Sequence, residues 1–598
     1  MLCRIFNKAA VNVRIIHADF FMESHFLAYA VKKEKGSHMD CEEAVYSNDY
    51  YDFIMEYILE TRGAPVNCCV QNLDQNYDIV YLKREGNPPL SINNYSYNSI
   101  PGCYAPMDES ALEVSGIIRL HNQPTLGLKG QGVLIGFLDS GIDYESQVFR
   151  NSDGSTRIMA IWDQTDRSGT PPNGFIYGSE YKDDQINRAL NSGNPKEMVP
   201  VTDEDGHGTY MASVAAGSEI PEKNFTGAAP YAKIAMVKLK QAKEYLREFY
   251  FINPDATAYQ ENDIMAGVKY LSLLAQERHM PLVLCVGLGT DLGGHTGTNP
   301  LSTMLNFTAL KNQHAVVIAA GNEGNSRHHY FGELEEEETV RNVEIDVGSG
   351  VQGFYVEMWA QAPQRFLVDI ISPTGERMPS EYILSGGREY SFLFEDTKVS
   401  VDYRILGILD GSQVIYIRFS KPTQGLWNIR VYQEGEIGHF FHMWLPLEDF
   451  LTGEVFFVRS NPDTTITVPS GAVVPMSVGA YNVRDNSIYL RSGRGFAANG
   501  TLKPNFVAPG VEVFGAAPGD MFVTRSGTSA ASAVTTGAVA LMMEWGIVRG
   551  NYSSITGIDI KNMLERSAER DPKRIYPDRA YGWGRLNLYR AFEEIRIR

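Results

Sequence analysis

No stretch of about 18 consecutive apolar residues occurs in this 598-residue chain, so the sequence predicts no single-helix membrane span. Basic charge is in short supply. Lys and Arg number 53 against 72 Asp and Glu, and a net charge of −19 disfavours a protein that tracks a nucleic-acid backbone. Cysteine is scarce as well. Five of the six (Cys3, Cys41, Cys68, Cys69 and Cys103) precede residue 104, and no spacing matches a metal knuckle or a disulfide framework. A reducing environment during synthesis is the simpler reading, with Cys285, inside an apolar run, as a small core residue. The first 40 residues carry Arg4, Lys8 and Arg14 but neither a sustained apolar segment nor a small-residue cleavage site. A secretion signal is therefore not expected, and synthesis in the cytoplasm is. Residues 1–40 read as an extension outside the fold. Met39 as the true start and Gly36-Ser37-His38-Met39 as a cloning scar both remain open.

What is present is ordinary globular material, 43% apolar and 21% charged, enough to build a core that holds a rigid site. Residues 41–105 mix aromatic-rich apolar runs, Tyr50 to Leu59 and Asp78 to Lys83, with turn residues, and predict a small α+β unit. From Gly130 the texture changes. Continuous apolar runs at 133–138, 234–239, 281–286 and 315–320 suit strands buried on both faces of a parallel sheet. Helical stretches such as Glu261–Ala275 lie between them, which predicts an α/β sheet with helices on both faces. Between about Gly332 and Asn461 short alternating runs and turns such as Ser372-Pro373-Thr374-Gly375 predict an inserted all-β sandwich of jelly-roll kind. The acidic run Glu333–Glu338 reads as a solvated linker, and helices are expected near 527–545 and 559–567.

Three segments carry candidate chemistry. Asp139-Ser140-Gly141 follows the first apolar run, at the strand end where open α/β sheets build sites; alone it is as readily a turn. Asp205-Gly206-His207-Gly208-Thr209 opens a helical stretch, and its acidic neighbours Asp203, Glu204 and Asp205 read as a solvated loop rather than as cation ligands. Ser526-Gly527-Thr528-Ser529 opens a small-residue helix, where a serine gains from free backbone donors; by itself it reads as an ordinary cap. Together they give a carboxylate, an imidazole and a hydroxyl in the order Asp, His, Ser, the chain order of the subtilisin triad. Ala319-Ala320-Gly321-Asn322 follows another apolar run, so Asn322 can offer its amide beside the Ser529 N–H.

With these segments the sequence resembles the subtilase family over most of 130–330 and 465–590. Phe137-Leu138-Asp139-Ser140-Gly141, Gly206-His207-Gly208-Thr209, Ala320-Gly321-Asn322 and Ser526-Gly527-Thr528-Ser529 match its motifs. Gly227-Ala228-Ala229-Pro230, Val507-Ala508-Pro509-Gly510 and Tyr581-Gly582-Trp583-Gly584 look like further markers. One departure is Ser532-Ala533-Val534-Thr535, where the family usually has Ser-Pro-His-Val. The resemblance implies a serine endopeptidase with Asp139, His207 and Ser529 as triad and Asn322 in the oxyanion hole. No cofactor is required; relatives often bind structural calcium, yet no convincing site is visible in the sequence. Substrate is implied to add as a strand between Val286-Gly287-Leu288-Gly289 and Ala319-Ala320-Gly321.

The order of parts is similar to the Csp-type germination proteases of clostridial spores. That resemblance implies a pro-segment over 41–109, a subtilase domain in two parts, 110–332 and 462–598, and an insertion over 333–461. It also implies self-cleavage between Ile100 and Val114, a pro-segment retained in the cleft, a protein substrate such as the precursor of a spore cortex hydrolase, and packaging in the spore. Two rival readings are a catalytically silent scaffold or sensor, and a carbohydrate- or protein-binding insert that uses Trp359, Trp427 and Trp444. For sandwich tryptophans, core packing is the default.

Overall fold

The computed structural model describes residues 41–56, 69–73, 76–106, 112, 114–335, 338–380, 386–406, 411–435 and 439–596. The first 40 residues and much of the expected self-cleavage window therefore lie outside the described residues. The chain divides into two compact units. Of the described residues, one comprises those up to Pro101 together with Lys243–Phe249, and the other comprises those of Gly102–Ala242 and from Tyr250 onward.

In the first unit, Tyr77–Lys83 is the middle strand between Tyr50–Glu56 and Cys69–Asn72, both antiparallel to it. The helix Cys41–Tyr46 adds Ala44 and Val45 to a core shared with Phe53, Ile79 and Val80, so the expected α+β character holds. Two features were not read from the sequence. Cys41 and Cys69 form a disulfide across a Cα separation of 5.3 Å, correcting the expectation of no disulfide. The buried Asp52 carboxylate is paired with Lys243, whose ammonium also donates to the Ala44 carbonyl at 2.7 Å.

The second unit is built on an eight-stranded sheet. In spatial order its strands are Phe506–Pro509, Met476–Tyr481, His314–Ala319, Leu282–Val286, Leu134–Asp139, Lys233–Lys238, Ile158–Asp163 and Ser179–Lys182. All neighbours are parallel except the last pair. Leu134–Asp139, buried along its whole length, reads as a continuous apolar run because helices cover both faces of the sheet. From this strand the chain first builds outward on one side, then returns to place Leu282–Val286 on the other. That reversal puts the crevice of the sheet at the carboxyl end of Leu134–Asp139, at Asp139 itself.

The helix Thr528–Met543 is buried throughout and packs on the sheet. Among the described residues, its continuation to Val548 gives the one segment long and apolar enough to cross a membrane, although Glu544 and its polar residues break any unbroken apolar run. Here it is a core helix; burial in protein supplies the apolar surroundings its composition needs. The free Cys285 lies in the same core, where burial pushes its thiol up to about 12.

Between His329 and Phe457 the same unit carries two antiparallel sheets. One runs His329–Glu333, Phe440–Trp444, Gly353–Ala360, Gln413–Ser420, Lys398–Ile405, Gly386–Ser391; the other runs Arg377–Met378, Phe366–Ile371, Gly425–Gln433, Val340–Val347, Val455–Phe457. Their inward side chains, among them Val343, Ile345, Phe354, Ile417 and Ile429, form one core. Trp427 and Trp444 are buried and Trp359 is 9% exposed, so the three tryptophans pack inward rather than offering a stacking surface.

Candidate active site

Three loops at the carboxyl edge of the eight-stranded sheet bring the predicted residues together. Asp139 ends its strand and is 2% exposed; the Ser140 N–H donates to its Oδ1 at 2.7 Å. His207 opens the helix His207–Ala216, and its Nδ1 lies 2.8 Å and 2.9 Å from the two Asp139 oxygens. A carboxylate can only accept, so Nδ1 carries the proton and Nε2 is left as the basic nitrogen.

The glycine after the histidine has a steric reason. A Cβ on Gly208 would stand 2.1 Å from the Gly141 carbonyl oxygen and 3.1 Å from Asp139 Cβ. Only a residue without a side chain lets the helix start approach the Asp139 turn closely enough for the imidazole to reach the carboxylate.

Asp203 corrects the reading of a solvated acidic loop: it is 5% exposed. Its Oδ1 accepts from Ser140 Oγ at 2.7 Å and Gly206 N at 3.0 Å, and its Oδ2 accepts from Thr209 N at 2.8 Å and Thr209 Oγ1 at 2.6 Å. One carboxylate thus caps the helix that carries His207 and clamps the residue beside Asp139. Glu204, by contrast, is exposed. No local pattern distinguishes the two; only the fold turns Asp203 inward.

Ser529 is the second residue of Thr528–Met543, so its N–H is among the donors a helix start leaves without an intrahelical acceptor. Its hydroxyl donates to the Gly287 carbonyl at 3.5 Å. A Cβ built on Gly287 would lie 3.5 Å from both His207 Cε1 and Ser529 Cβ, so imidazole and hydroxyl flank the same point. Asn322 is fixed from the other side. Its side-chain oxygen accepts from Thr528 N and Thr528 Oγ1, each at 3.1 Å. Thr528 N can only donate, so the oxygen must face it, and the Asn322 NH₂ is the group left to offer a ligand beside Ser529.

A paired strand edge follows Gly287 directly. Leu288–Gly289 pairs antiparallel with Cys103–Pro106, Leu288 opposite Pro106 and Gly289 opposite Ala105. The other edge of Cys103–Pro106 pairs with Tyr259–Gln260, not with the expected Ala319-Ala320-Gly321. Those residues are committed elsewhere. Ala320 N donates to Val478 O, Ala320 O accepts from Thr467 N, Gly321 O accepts from Gly493 N, and Gly321 N donates to Thr528 Oγ1. Val286 and Gly287 lead into the pairing edge as read from the sequence. Tyr259–Gln260 was missed because two residues are too few to show any periodicity.

Beside Asn322 lies a buried polar cluster of Asp291, Glu323 and His328. Burial, with Glu323 and Glu357 nearby, holds the Asp291 carboxyl well above the usual carboxylate range.

The pattern of the subtilase family matches residues 130–345 and 452–584, more than half of the chain, and skips the central part of the two-sheet insertion. The chain is similar to subtilisin-like protease SBT3.3 of Arabidopsis thaliana, 26% identical over 507 residues covering 78% of this chain and 63% of that protein. Its similarity to SBT3.8 of the same plant is 23% over 544 residues, covering 81% and 65%. The chain thus spans less than two thirds of the length of these relatives. Among solved structures it is similar to the CspB protease of Clostridium perfringens, with a TM-score of 0.72 and 30% identity over 81% of this chain and 99% of that one.

Proposed function

The chain belongs to the subtilase family, and we propose that it is a serine endopeptidase in which Asp139, His207 and Ser529 form the catalytic triad and Asn322 donates to the oxyanion. The observation that carries this reading is the Asp139–His207 contact, which leaves Nε2 basic on the side of Gly287 where Ser529 stands. His207 Nε2 takes the hydroxyl proton as Ser529 Oγ attacks a peptide carbonyl, then returns it to the leaving amine. Asp139 holds the tautomer and offsets the imidazolium charge. The Asn322 NH₂ and the Ser529 N–H bind the oxygen as it becomes negative. Water then attacks the acyl-enzyme by the same proton route in reverse.

Asn322→Ala is expected to lower kcat by about 10²–10³-fold with little change in KM, the cost of one missing oxyanion donor. Steady-state kinetics on a chromogenic peptide reads this; a drop confined to KM would assign Asn322 to ground-state binding instead.

The strand Cys103–Pro106 supports self-processing, because it pairs where a substrate strand would add. The antiparallel register sets Ala105 opposite Gly289 and Pro106 opposite Leu288. One residue on along that edge from Leu288 is Gly287, whose carbonyl receives the Ser529 hydroxyl. We therefore place the scissile bond between Met107 and Asp108. A freed tail left on both edges would fill the cleft, which favours a self-inhibited state after one turnover as the second reading. By the resemblance of its order of parts to the Csp-type germination proteases, the external substrate in this proposal is a protein precursor, such as that of a spore cortex hydrolase, met where the enzyme is packaged in the spore. N-terminal sequencing of the purified protein tests the assignment. Asp108 as the new N-terminus is the expected result; the same processed end on a Ser529→Ala chain would rule out self-cleavage.

A further inference from the structure

Asp291, Glu323 and His328 are 1%, 5% and 4% exposed, and one donor atom from each lies within 4.8 Å of the other two. Asp291 Oδ1, Glu323 Oε2 and His328 Nδ1 are each buried and, among the described residues, without a hydrogen-bond partner; the latter two form an ion-pair contact. His328 Nδ1 stands 3.3 Å from Glu323 Oε2. A further carboxylate, Glu357, is fully buried nearby, its Oε2 accepting from Gly293 N at 2.7 Å and Trp359 Nε1 at 2.9 Å. Three carboxylates and one imidazole are thus gathered where water does not reach. Three buried carboxylates against a single imidazole, with unpartnered oxygens among them, cost several kcal/mol per group unless a cation or protons compensate the excess.

The donor set selects among cations. Calcium takes six to eight oxygens and has little use for an imidazole. Two carboxylate oxygens and a histidine nitrogen suit a first-row divalent ion of the zinc class. Bonds of about 2.0–2.2 Å in a tetrahedral site space neighbouring donors about 3.3–3.6 Å apart, and the His328–Glu323 separation of 3.3 Å meets that.

We propose that Asp291, Glu323 and His328 form a structural site for a zinc-class divalent cation that braces the cleft. The position gives it that role. Asp291 lies two residues beyond the pairing edge Leu288–Gly289, Glu323 directly follows Asn322, and His328 precedes the strand His329–Glu333 that opens the two-sheet insertion. One ion would tie the substrate edge, the Asn322 loop and the insertion to a common point. It takes no part in proton transfer, so the site stands or falls independently of the triad.

The test uses the full chain carrying Ser529→Ala, so that it does not digest itself. Chelator-stripped protein is titrated with Zn²⁺, and bound metal is measured by elemental analysis after desalting. One zinc per chain is expected, with a rise in Tm, and Asp291→Asn combined with His328→Ala should weaken binding by at least about 100-fold. A parent protein that stays metal-free in excess Zn²⁺ and Mn²⁺ overturns the site, since the charge would then be met by protons. Equal binding by the double variant overturns it too. Should that variant fail to fold, Co²⁺ added to the parent decides: intense tetrahedral visible bands displaced by Zn²⁺ support the site, and their absence refutes it.

Discussion

Replacing Ser529 with alanine is expected to lower kcat by about 10⁶-fold, the scale found for the equivalent loss in subtilisin, while substrate binding changes little. The size follows from the chemistry. Without Oγ no acyl-enzyme forms, and what remains is attack by water helped only by the Asn322 NH₂, the Ser529-position N–H and the bound geometry. The side chain is fully buried in the helix start, and the substitution removes one oxygen whose bond is a 3.5 Å contact to Gly287 O, so the fold should be unaffected. Steady-state kinetics and labelling by a fluorophosphonate probe read the outcome. A variant that keeps more than a hundredth of the parent rate would remove Ser529 from the nucleophile's role. A parent that does not label, although folded, would favour the self-inhibited state.

Asp139→Asn should cost about 10⁴-fold in kcat, a loss out of proportion to so small a change in shape. The Ser140 N–H, 2.7 Å from Oδ1, selects the oxygen of an asparagine at this position. The NH₂ then faces His207 Nδ1. A donor at the Oδ2 position, 2.9 Å from Nδ1, opposes the Nδ1 proton and favours the tautomer protonated on Nε2, which can no longer accept from Ser529. The carboxylate is also the nearest negative charge to the imidazolium formed in the reaction, in a place 2% exposed where such a charge acts through low dielectric. Kinetics on a variant whose circular dichroism matches the parent checks this. A loss of less than about tenfold would show that Asp139 neither fixes the tautomer nor stabilises the cation.

Short-range pattern and long-range placement contributed differently. The strands at 134–139, 233–238, 282–286 and 314–319 are legible because a strand covered on both faces must be apolar at every position, which no amphipathic helix requires. The candidate residues were legible for a related reason. Each sits in a short string whose neighbours are constrained by contact, as Gly208 is by the Gly141 carbonyl. Asp203 was misread because a carboxylate in an acidic loop looks the same whether it meets water or four donors. Cys41 and Cys69 were left unpaired because their meeting depends on how a helix start lies beside a strand 28 residues on.

Sequence alone therefore determined the doubly covered sheet and the short strings that hold the residues proposed for acyl transfer. Burial periodicity and side-chain chemistry are properties of neighbouring residues, and both survive without coordinates. Tertiary structure alone decided that Tyr259–Gln260, and not Ala319–Gly321, pairs with the free edge of Cys103–Pro106, and that Asp291, Glu323 and His328 come within reach of one another. Those outcomes depend on which backbone donors the loops had already consumed and on where chain segments far apart in sequence come to rest. No local pattern encodes either, because the energy that fixes them comes from contacts formed only when the whole domain has closed.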